Sequence, residues 1–228
     1  VGIRLTDSSR CYIENTELSN SNGSGISSNN SVSLYAKNVT ITGMHQKAID
    51  IADVKKGMVN ISHCDIYKND GGFLIQGECT NENCIISECN IHENQKTGLE
   101  VCGERACPLI TKCKIIGNLY AGADFTLQCQ PLVRDCQFGG NKESGIQLEG
   151  GSPLIENCDI SQSAQGFIAS NGSKATLKNC QIHENSNRGG QIQNQDTCIE
   201  AQHCHFYKHM NGIDLLAVEN GSINCTNC

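Results

Sequence analysis

The amino-acid sequence predicts an all-β fold, a parallel β-helix of about ten coils of 22–25 residues each. Three observations lead there. A skeleton of an aliphatic residue, two spacers, Cys, one spacer and another aliphatic residue recurs along the whole chain. It is plainest in Pro153-Leu154-Ile155-Glu156-Asn157-Cys158-Asp159-Ile160. A small residue, nearly always Gly, follows each register position after eight or nine residues. No stretch keeps apolar residues at helical spacing for three turns, and each half-repeat is too short and too rich in Gly, Asn and Ser for a helical solenoid.

The register falls at Thr16, Val39, Cys64, Cys89, Cys113, Cys136, Cys158, Cys180, Cys204 and Cys228. The small residue falls at Gly25, Ala48, Gly72, Gly98, Gly122, Gly145, Gly166, Gly189 and Gly212. A first strand is typified by Ile110 to Ile115 and by Leu177 to Ile182. Its alternation slips by one residue before the Cys, which predicts a bend. Asn157 and Asn179 sit at that bend, and Asn tolerates the left-handed conformation a corner needs. A second strand follows the Gly, as in Leu99-Glu100-Val101 and Ile146-Gln147-Leu148, with aliphatics inward and polar residues outward. Ten register positions give nine rises, a rod of about 43 Å at ~4.8 Å per coil. The repeat is weakest between Ser31 and Gly57. It is longest between Gly72 and Cys89, where Gly77 to Asn83 is inserted. Insertions in solenoids gather on one edge, often the binding edge.

Charged residues make up 18% and aromatics 4%, with no Trp and three Pro, which suits small and β-branched side chains joined by tight turns. The net charge of −7 and the lack of basic stripes argue against nucleic acid as a partner. No run of 18 apolar residues exists, so no helical membrane span is expected. Both ends match mid-repeat sequence. The chain therefore reads as one domain, 1–228, cut from a longer protein whose end caps lie outside it. Sixteen cysteines admit a disulfide framework. Stacked in register, however, their Cβ atoms would sit ~4.8 Å apart, beyond the roughly 3.5–4.5 Å of a disulfide. A ladder of buried free thiols and a cytoplasmic protein are expected. Glycosylation triplets at Asn22, Asn29, Asn38, Asn60, Asn171, Asn220 and Asn224 speak for secretion instead.

The outward position of the second strand gives a column that includes Asp50, Glu100, Asp124, Gln147 and Asp214, with Gln76 and Glu149 two residues further along their strands. These seven are the candidate binding residues. Glu100 and Asp124 would be neighbours at ~4.8 Å, close enough for the carboxylate pair of a retaining glycosidase. An exposed face with ordinary solvated acids is the simpler reading of the same pair. His203, His205 and His209 form the densest group of metal-ligand types, but single-strand His pairs lack a third ligand at fixed spacing, so no metal or other cofactor is expected. His92 and His183 share a register four coils apart, about 19 Å.

Pro108-Leu109-Ile110-Thr111-Lys112-Cys113-Lys114-Ile115, Pro131-Leu132-Val133-Arg134-Asp135-Cys136 and the Pro153 segment resemble the carbohydrate-binding and sugar-hydrolase repeats of the pectin-lyase-like superfamily. Within it they are most similar to the intracellular eukaryotic versions, in F-box ubiquitin-ligase subunits and Shc SH2-domain-binding proteins. The resemblance covers the chain and implies a single-stranded right-handed parallel β-helix. One departure is that the F-box relatives place Asn at the register position where this chain has Cys. No catalytic motif of the superfamily matches, so no catalytic residue is implied. The expected function is non-enzymatic protein recognition or scaffolding, with a basic or mixed-charge protein partner on the acidic column. The competing expectation is an extracellular protein that binds or cleaves polysaccharide.

Overall fold

The computed structural model describes residues 2–228. The chain winds through three parallel sheets. Sheet A holds ten strands, from Ile3–Leu5 to Ile213–Ala217. Sheet B holds ten, from Arg10–Glu14 to Ser222–Thr226, and sheet C holds nine, from Glu17–Ser19 to His205–Tyr207. Every strand pairs in parallel with its counterparts in the adjoining coils, the end strands on one side only, as in Glu100↔Asp124, Ile110↔Val133 and Ile160↔Ile182. The result is nine full three-strand turns and a partial tenth.

The bend before the Cys is sharper than alternation alone implies. It splits the expected first strand into two strands of different sheets, as with Leu154–Glu156 in sheet B and Asp159–Ser161 in sheet C. Between them Asn157 has φ +55. The same corner is turned by His63, Asp135 and His203, and also by Glu88 and Lys112, residues with no special liking for positive φ. Stacking holds them there. The Lys112 N–H donates to the Arg134 carbonyl at 3.0 Å, and the Asp135 N–H to the Glu156 carbonyl at 3.1 Å.

The cysteines form the expected ladder just inside this corner. Cys64, Cys89, Cys113, Cys136, Cys158, Cys180 and Cys204 are buried, all are free, and Cys228 continues the register with its side chain exposed on the last coil. Each thiol donates to the carbonyl two residues earlier, at 3.2 Å for Cys136 and 3.5 Å for Cys204. A small apolar side chain with one weak donor thus fills the corner and ties its carbonyl. The rest of the core is aliphatic and aromatic, with Ile91, Ile115, Phe138, Ile160 and Ile182 stacked as one fully buried column.

A second internal ladder carries the opposite chemistry. Asn69, Asn94, Asn118, Asn141, Ser163, Asn185 and His209 lie five residues after each register Cys, and all are buried. The Asn94 N–H donates to Asn118 Oδ1 at 3.2 Å, and Asn118 Nδ2 donates onward to Asn141 Oδ1 at 3.1 Å and to the Ile91 carbonyl at 3.2 Å. The amides satisfy backbone groups of a turn that would otherwise lie buried without partners. They also explain the glycines. A Cβ on Gly122 would stand 2.5 Å from the Gly145 carbonyl oxygen and 2.7 Å from Asn141 Nδ2, so a side chain there collides with both the next coil and the amide ladder.

Asn118→Ala removes two acceptor contacts from Asn94 and leaves the Ile91 carbonyl without its amide donor. The expected loss is roughly 2–4 kcal/mol, read from urea denaturation, because each buried group stranded without a partner costs about 1–3 kcal/mol. A loss within error would show that the amide ladder is not structural.

Candidate functional site

Sheet A carries the most carboxylates of the three sheets. Its central column runs through Ser27, Asp50, Leu74, Glu100, Asp124, Gln147, Ile168 and Gln191 in continuous register. The strands that carry it alternate as expected. In Ala121–Thr126, Ala123 and Phe125 are fully buried and Asp124 lies between them on the outer surface. Gln76 and Glu149 occupy the adjoining outward column. Asp214 does not belong here. Gln191 pairs with Leu216, so Leu216 continues the column and Asp214 falls opposite Gly189. Gly212, which the spacing assigns to the small-residue ladder, instead turns a corner at φ +66. The longer loop before this strand shifts the register by two residues.

Lys47 organises the charges. Gly71, in the next coil, has no side chain, and a Cβ there would touch Lys47 Cδ and Nζ. The lysine therefore lies across Gly71 and reaches Glu100 two coils away, forming an ion pair. Asp124 has no such partner. Burial pushes its carboxyl up to about 7, with Glu149 and Glu100 adding to the rise and Lys47 opposing it. Its Oδ1 is buried without a hydrogen bond. Asp50 is also raised, by burial first, with Lys47 lowering and Glu100 raising it. Beyond Asp124, Gln147 donates to Glu149 at 2.7 Å. The structure thus gathers six of the seven predicted residues onto one face, though not into a cleft. The hollow beside Asp50, about 270 Å³, is lined by Arg4, Ser27, Asp50, Ala52 and Gln76.

The three candidate metal-binding histidines do not converge. His203 sits at a left-handed corner with φ +53, and His205 lies outward on sheet C. His209 takes the last rung of the amide ladder and is buried, accepting at Nδ1 from the Asn185 N–H at 3.3 Å. Its position five residues past Cys204 turns it inward, and burial lowers its pKa. Among the described residues no group of three or more His, Cys, Asp or Glu is placed to hold a metal ion.

Two polar constellations on sheet C escape single-residue reading. His92 Nε2 lies 3.0 Å from Asp65 Oδ1 and stacks on Tyr67 at 5.1 Å. His183 Nε2 lies 2.9 Å from Asp159 Oδ2 and stacks on Tyr207 at 4.8 Å. The signal is present in the repeat: in both cases Asp one residue after a register Cys precedes, by one coil, His three residues after the next.

The model of the right-handed β-helix region matches residues 1–130 and 81–228. The chain belongs to the right-handed β-helix family. This β-helix has no match among curated proteins. Among solved structures it is similar to the A-module of mannuronan C-5 epimerase AlgE4 from Azotobacter vinelandii, with a TM-score of 0.59 and 12% identity over 95% of this chain and 76% of that one. It is more distantly similar to the AlgE6 A-module from the same organism, with a TM-score of 0.47 and 11% identity over 98% of this chain and 78% of that one. At such identities the likeness is one of fold.

Asp124 supplies a test of the electrostatics. Its folded pKa lies above the unfolded value, so the ionised form is penalised in the fold. The penalty is complete above pH ~7 and is relieved as pH falls toward ~4. Asp124→Asn should therefore stabilise the β-helix at pH ~8 by roughly 1–3 kcal/mol after screening, and by little at pH ~4. Urea midpoints at the two pH values decide it. An equal effect at both would show that Asp124 is not strained by its surroundings.

Proposed function

We propose that this β-helix is a non-enzymatic recognition or scaffolding module, and that sheet A binds a basic or mixed-charge segment of a protein partner. The carrying observation is the unrelieved negative charge around Asp124. Asp50, Glu100, Asp124 and Glu149 crowd one rigid surface, with Lys47 set among them and paired to Glu100. A lysine or arginine docking beside Asp124 would replace the missing cation and favour its ionised form. A pre-formed sheet loses little conformational entropy on binding. The reading places the module in the cytoplasm, in keeping with its free cysteines and with the resemblance to ubiquitin-ligase and Shc-binding proteins.

A second reading has its own support. Glu100, ion-paired with Lys47, stands beside Asp124, whose carboxyl is pushed up to about 7, and two adjacent carboxylates in unlike surroundings are what acid–base chemistry on a glycan requires. The fold likeness to a mannuronan epimerase module fits an extracellular protein that binds or cleaves polysaccharide.

Titration with a Lys-rich peptide distinguishes them. The protein-recognition reading expects binding that weakens steeply as salt rises from roughly 0.1 M to 1 M. Affinity should increase from pH ~6 to ~8 as Asp124 deprotonates, and binding should vanish when Glu100 and Asp124 are both reversed to Lys. Binding indifferent to that double reversal would overturn it. So would turnover of a uronate polymer that is lost in Asp124→Ala.

A further inference from the structure

Sheet B carries an outward column that neither reading uses. Ile85, Leu109, Leu132 and Leu154 stack in register along it, bounded by Asn60 and Thr176. All four are partly exposed, while the residues beside them, Ile86, Ile110, Val133 and Ile155, already fill the core. The matching outward column of sheet C is polar there, with Asn90, Lys114, Gln137 and Asp159. Three of the four apolar residues directly follow the chain's three prolines, Pro108, Pro131 and Pro153. Each proline fixes φ at the entry to its strand.

We propose that this column is a homodimer interface, in which two copies of the chain pack sheet B against sheet B with their rods antiparallel. Two features select a second copy as the occupant. The column repeats at the ~4.8 Å coil step, and another β-helix shares that step along its whole length, whereas same-face positions on an α-helix recur at ~5–6 Å and drift out of phase. The flanking charges are also self-complementary. A two-fold axis along the strand direction, midway between the coils of Leu109 and Leu132, brings Leu109 of one copy opposite Leu132 of the other and Ile85 opposite Leu154. Just past the strand ends it sets Lys112 facing Asp135, twice by symmetry. Both are exposed corner residues with φ +54. No like charges meet across the axis, since Arg134 faces Thr111 and Glu156 faces Ser87. Packing with the rods parallel would set Lys112 toward strand entries instead and forgo both pairs. This is an isologous contact, apolar at the centre and charged at the rim.

Sedimentation velocity of the full chain over a concentration series tests the interface. The expected result is a reversible dimer. Leu132→Glu should abolish it with the circular dichroism spectrum unchanged, because the side chain points away from the core. Lys112→Glu and Asp135→Lys should each weaken the dimer roughly tenfold, and the double reversal should restore it, because each new charge meets its opposite across the two-fold axis. The charge variants do not touch the core, so they decide the matter even if Leu132→Glu fails to fold. A chain that stays monomeric up to ~1 mM would overturn the proposal and leave the column to a different protein. A dimer that survives Leu132→Glu, or a double reversal that fails to recover association, would overturn it equally.

Discussion

The hydrogen bonds from each coil to the next hold the whole architecture. They run through the sheets and continue through the corners. The corners are where they are needed most. Twenty-eight described non-glycine residues have positive φ, Leu127, Gln128, Glu93 and Lys208 among them. At about 1–2 kcal/mol for each of those that is not Asn or Asp, an isolated coil could not keep this conformation. Stacking makes it possible, because strained N–H groups such as those of Leu127, Gln128 and Asp135 find a carbonyl in the same place one coil further on. The Cys and Asn ladders extend that logic to side chains. The thiol ties a corner carbonyl at one turn, and the amide bridges backbone groups of two coils at the other. No coil is stable alone, and every position inherits its chemistry from the positions above and below it.

The same constraint produces the electrostatics of sheet A. A ladder with a fixed step brings like residues together whether or not they attract. Asp124 and Glu100 are adjacent because their strands are in register. The face answers once, through Lys47, and only because Gly71 leaves a path over one coil to the next. Asp124 lies one coil too far to share that cation fully, and its carboxyl is pushed toward neutrality. The fold thus stores unfavourable charge at a defined spot on a surface that cannot relax. A ligand able to supply a positive group there gains more than it would on an ordinary acidic surface, where the acids are already solvated.

Much of this was legible in the sequence, and the exceptions have physical reasons. The Cys register is visible because eight coils use one residue for one job. The Gly ladder is nearly as clear, because a Cβ strikes the neighbouring coil at Gly72, Gly122 and Gly166. The amide ladder is harder to see. Met44, Ser163 and His209 interrupt it, and a polar residue amid polar turns gives no sign that it is buried. His209 reads as a surface ligand for that reason. The third strand is hidden because the corner keeps the inward periodicity of its neighbours, so one bent strand and two short ones look alike. Asp214 is misplaced because Gly212 offers a plausible glycine two residues early, and only strand pairing separates them. The charge on Asp124 depends on Lys47 and Glu149, residues 77 before and 25 after it in sequence, which no local pattern connects.

A β-helix interior leaves little room for individuality. Its columns repeat Ile, Phe, Cys, Asn and Gly because each site sees the same surroundings in every coil. Variation is pushed outward, where a residue answers only to its stacked neighbours and to solvent. That is why the three faces of this chain differ so sharply while their inner surfaces are alike. Sheet A gathers carboxylates, sheet B an aliphatic run and sheet C two Asp–His–Tyr groups. An apolar residue in an outward column adds nothing to a core already closed by Ile110 or Val133, and a carboxylate beside another carboxylate costs stability. Neither feature follows from the demands of the fold. Both therefore mark the places where something other than folding determines the residue.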